Sequence, residues 1–161
     1  MNEIKLPLRQ KVLLGLTAII GLSILILCRL KTIDPNVFNM IILCYFLGVP
    51  LSLLVLDTLI DLNDNKIFNI WLLIGLVFFC IYLTVRNINV IWIGSLRALL
   101  FFLIAYKIFN TIMKKTIGKY LINTYRQTSW IHDTAKRKIT GLDVVFNILL
   151  SFIIILSVIV L

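Results

Sequence analysis

The side chains of this sequence that could do covalent chemistry are few, and the best of them are carboxylates. Asp61 and Asp143 both lie at the edge of an apolar run. Two carboxylates held together share a proton and can activate water, as in aspartyl proteases. They form the candidate catalytic pair. The competing reading makes Asp61 part of a solvated acidic turn with Asp57 and Asp64, and makes Asp143 the N-cap of a helix. Other chemistries lack parts. His132 is the single histidine, so one chain cannot build a haem pair or a histidine-rich metal site. Cys28, Cys44 and Cys80 are odd in number and without metal or redox spacing, so they read as small buried hydrophobes. No glycine-rich phosphate loop is present. No metal and no cofactor are expected. A proton-coupled exporter needs a deep carboxylate, and every Asp and Glu here sits at the edge of an apolar run or outside it.

The elements that must position these residues follow from composition. The chain has 161 residues, of which 61% are apolar, yet its formal net charge is +9. Its mean hydropathy is +1.06. A soluble enzyme with a basic tail is excluded, because the two properties must be kept in different places. An all-α polytopic membrane protein of about five spans (four on a stricter reading) is predicted, at about 12–28, 38–56, 67–85, 89–107 and 144–161. Helices of that length cross a hydrocarbon layer of ~30 Å. The first run follows a basic N-terminus but lacks a small-residue cleavage site, so it reads as an uncleaved helix.

Charge orients the spans. Between Lys107 and Lys138 lie eight basic residues and one acid, Asp133, which is seven of the nine net charges. Five spans put this connection, the N-terminus and the 57–66 loop on one side, and the positive-inside rule makes that side the cytoplasm of a bacterial inner membrane. The C-terminus is then outside. Trp71 and Tyr106 fall near the inner interface, Tyr82 and Trp92 near the outer one.

Arg97 is unusual. Only nine residues separate it from Lys107. They span about 13 Å, less than half the hydrocarbon layer. With Trp92 outside and Lys107 inside, Arg97 is expected near mid-membrane. It could line an anion path or an inter-subunit contact, or it could snorkel and be held by backbone carbonyls. Gly94 and Ala98 form a small-xxx-small pair beside it, and Thr17, Ala18 and Gly21 form a second such patch. Both suit intrachain packing or a homo-oligomer face. Pro50 is expected to kink the second span. Asn147 and Ser151 stand at i, i+4 on the last span and could bond across helices.

The segment 107–126 has helical periodicity, with Phe109, Ile112, Met113, Ile117, Tyr120, Leu121 and Thr124 on one face. Lys114, Lys115, Lys119, Asn123 and Arg126 fall on another. The fourth span is therefore expected to leave the bilayer as a basic amphipathic helix, followed by the cluster Lys136, Arg137 and Lys138. These seven cations would meet anionic inner-leaflet lipid or an acidic cytosolic protein. Nucleic acid is the least favoured partner, since no nucleic-acid-binding fold accompanies the charge.

Three resemblances bear on function. The segment Ile60-Asp61-Leu62-Asn63-Asp64-Asn65-Lys66-Ile67-Phe68-Asn69 is similar to the first aspartate motif of prepilin peptidases, which has proline where this chain has Phe68. The family's second aspartate follows a glycine-x-glycine pattern, and here Gly141-Leu142 precede Asp143. This resemblance implies a membrane diaspartyl protease. Lys115-Thr116-Ile117-Gly118-Lys119-Tyr120 resembles the threonine-x-glycine-lysine signature of RDD-type membrane proteins, over about residues 106–155. The arginine and aspartate pattern that family carries on its first helix is absent here. The size, hydropathy profile and Ile/Asn/Lys-rich composition resemble small membrane subunits of bacterial antiphage systems such as Kiwa, which implies a part in antiviral defence.

These observations divide the chain into membrane helices over 1–106, a basic helix-loop over 107–142, and a last membrane helix over 143–161. The expectation is a non-enzymatic anchor or sensor that oligomerises and docks an acidic partner through its basic loop. The alternatives are the diaspartyl protease and an anion channel lined by Arg97.

Overall fold

The computed structural model describes residues 7–30, 35–55, 59–85, 93–124, 131–132 and 137–159. Five α-helices make up nearly all of it: α1 (Leu8–Leu30), α2 (Pro35–Val55), α3 (Asn65–Val85), α4 (Ala98–Ile117) and α5 (Gly141–Ile159). Short 3-10 turns at Asp61–Asn63 and Ile93–Arg97 precede α3 and α4. Ile131–His132 (β1) pairs antiparallel with Arg137–Lys138 (β2), with Ile131 opposite Lys138. Three stretches, Asn65–Leu83, Gly94–Ile117 and Gly141–Ile159, are long and apolar enough to cross a membrane. The apolar stretches described in α1 and α2, Gln10–Ile19 and Asn39–Val55, are shorter.

Local chemistry sets the helix boundaries. The Asp64 carboxylate accepts the Lys66 amide at 2.8 Å and so caps α3. Gly118 ends α4 with φ +71°, and its amide bonds the Lys114 carbonyl. That left-handed position suits glycine, which has no Cβ to clash. Pro50 lies inside α2, which continues through it to Val55.

α4 is the centre of the bundle. It packs against α2, α3 and α5, whereas α1 approaches only α2 in backbone among the described residues. Phe102, Leu103, Tyr106 and Met113 of α4 are fully buried, with Leu53, Trp71, Leu150 and Ile154 around them. Close approach depends on small residues. A Cβ on Gly75 would lie 3.3 Å from the Leu100 Cα, and one on Gly94 would lie 2.8 Å from the Val158 carbonyl oxygen. The outward surfaces of α3 and α5 are apolar, with Leu73, Val77, Phe152, Ile155 and Leu156 exposed.

Two expectations need correction. Among the described residues the fourth helix does not end at 107: α4 occupies 98–117, and Gly94 belongs to the 3-10 turn before it, four residues ahead of buried Ala98, while 89–92 lie outside the described residues. Nor does the helix reach residue 126. Tyr120 and Leu121 fit a helical period, but Gly118 breaks the helix first, and residues 120–124 run on without helix. Leu121, Ile122 and Asn123 are buried there, so Asn123 is not on a solvent face.

Candidate functional site

The starts of α1, α3 and α5 and the ends of α2 and α4 meet at one end of the bundle, and polar side chains join them. Asn110 of α4 is the pivot. Its Nδ2 donates to the Asn63 Oδ1 at 2.6 Å, and its Oδ1 accepts the Leu121 amide at 2.9 Å. The Tyr106 hydroxyl donates to the Leu59 carbonyl at 2.7 Å and approaches the Asn63 Oδ1 at 3.2 Å. Asn123 donates to the Val55 carbonyl at 3.1 Å, which satisfies an end-of-helix acceptor on α2. Asn147 of α5 donates to the Ile122 carbonyl at 2.8 Å and to the Asp143 carbonyl at 2.6 Å. A buried extended segment has no ladder to hold its peptide groups, so side chains must take their place. Asn110, Asp143 and Asn147 do this for Leu121 and Ile122. Residues 118–124 thereby form a strap pinned across the ends of the helices.

Asp143 is fully buried. Its Oδ2 accepts the Thr140 amide at 2.9 Å and the Thr140 hydroxyl at 2.6 Å, and its Oδ1 accepts the Ile122 amide at 3.3 Å. Thr140 Oγ1 in turn accepts the Asp143 amide at 3.4 Å. This is a reciprocal capping box with Thr140 at the N-cap, which corrects the assignment of Asp143 to that position. Asp61 belongs to a different arrangement. Gln10, fully buried on α1, donates from Nε2 to the Asp61 Oδ2 at 2.9 Å and accepts the Trp71 indole N–H at 2.8 Å. Each carboxylate of the candidate pair thus has a structural task of its own: Asp61 ties α1 to the α3 entrance, and Asp143 starts α5 and holds the strap.

The basic residues decorate this end. Lys114, Lys115 and Lys119 are exposed on the last turn of α4 and just past it. The Lys114 ammonium lies 4.3 Å from the Tyr120 ring centroid. Lys107 reaches the Asn65 Oδ1 at 3.0 Å and the Phe68 ring at 4.7 Å. Lys138 is exposed on β2. Arg126 and Lys136 lie outside the described residues, and Arg137 is described only as part of β2.

The opposite end holds Arg97. It stands at the start of α4, not halfway along a span. Its Nε donates to the Ser157 carbonyl at 2.6 Å, its Nη1 meets the Tyr82 hydroxyl at 3.3 Å, and its guanidinium lies 5.2 Å from the Tyr82 ring centroid. Arg97 and Lys107 are ten helical steps apart, about 15 Å. Arg97 reaches the last turns of α3 and α5, and Lys107 reaches the first turn of α3, so the two heads extend toward opposite ends, as snorkelling side chains do.

Gly21 and Ala98 serve packing within the chain. A Cβ on Gly21 would sit 3.1 Å from the Tyr45 hydroxyl, and Ala98 is fully buried. Cys44 and Cys80 are free thiols and both are exposed, which corrects the expectation that they are buried. Among the described residues, no group of three or more His, Cys, Asp or Glu side chains could hold a metal ion.

Sequence reasoning found Asp143, Asn147 and the lysines but missed Gln10, Asn63, Asn110 and Thr140. A signal existed for two of them. Thr140-Gly141-Leu142-Asp143 has the spacing of a capping box, and Asn110 is the one amide side chain in the α4 sequence, where a polar group near the apolar face calls for a partner. No family model, no curated protein and no solved structure matches the chain. The resemblances to RDD-type proteins, prepilin peptidases and antiphage membrane subunits therefore rest on sequence features alone.

Proposed function

We propose that the chain is a non-enzymatic, five-span membrane anchor that presents its basic end to an acidic cytosolic protein. Its N-terminus and the strap face the cytoplasm of a bacterial inner membrane, its C-terminus faces outward, and the protein acts as an oligomer. The membrane setting is supported by three long apolar helices and by exposed large hydrophobics such as Leu73, Phe152 and Leu156, a surface that water does not favour. The docking role is carried by one observation: Lys114, Lys115 and Lys119 project from a helix end that is buttressed on the strap side by Asn110, Asp143 and Asn147. A fixed cationic surface recognises an acidic partner with less ordering cost than a loose tail.

The protease reading has less support, since Asp61 and Asp143 each already serve a structural contact. The channel reading has less as well, since the Arg97 guanidinium is engaged by Ser157 and Tyr82. Charge reversal at Lys115 and Lys119 tests the docking role. The expected outcome is loss of a co-purifying acidic protein, with membrane insertion and thermal stability kept. Undiminished recovery of that protein would sink it.

A further inference from the structure

We draw no further inference here: the strongest candidate, the groove between α1 and α3 lined by Thr17, Ala18, Leu73 and Val77, is an unpartnered apolar face, and nothing in the structure shows what covers it.

Discussion

The two ends of the bundle solve different problems with different means. At the end opposite the basic one, Arg97 is held by one carbonyl, one hydroxyl and one ring face. At the basic end the lysines are left outward, and neutral amides with one buried carboxylate tie five segments together, mostly through backbone groups. The first arrangement accommodates a charge. The second fixes the shape of a surface that carries charge. Buried amides suit that task because each supplies donors and an acceptor without the desolvation cost of an ion.

Substitutions should separate the ends, and the largest effect belongs to Asp143. Asp143→Ala would leave the Thr140 and Ile122 amides without their acceptor, at a cost of about 3 kcal/mol. Thermal unfolding in detergent reads this loss, and an unchanged melting temperature would remove the capping box from the account. Asn110→Ala should cost about 2 kcal/mol by orphaning the Leu121 amide, and it should loosen the strap while leaving the Arg97 end unaltered. Limited proteolysis after Lys119 checks it: cleavage should accelerate in the variant. Arg97→Gln should cost about 1 kcal/mol, because the lost carbonyl contact at the Ser157 end is partly replaced by the amide. If Arg97→Gln instead freed the strap to proteolysis, the two ends would not be independent.

Much of this architecture was legible because it depends on one-dimensional patterns. α3 and α5 follow from uninterrupted apolar runs, and the sharing of one end by the helix termini follows from the number of runs and where the charges fall. Periodicity failed at 118–126 because Tyr120 and Leu121 keep a helical spacing through a glycine that turns the chain into the left-handed region. The apolar run ending at Lys107 puts Arg97 mid-run, whereas the α-helix begins at Ala98 and continues to Ile117, which puts Arg97 at its start. The network at the basic end was the least visible part. Asn110 meets Leu121 11 residues on, but Asn63 lies 47 residues away, and Asn123 meets Val55 across 68 residues. Such partners are backbone atoms or lone amides, which leave no spacing in the sequence.

The central claim is that the strap is pinned and therefore holds the lysines in place. Amide hydrogen exchange at Leu121 and Ile122, measured with the protein in lipid nanodiscs, tests it most directly. The account predicts exchange at least about a hundredfold slower than in an unstructured chain at both amides, with the protection lost in Asn110→Ala and Asp143→Ala. Exchange at the unstructured rate in the wild-type protein would contradict it.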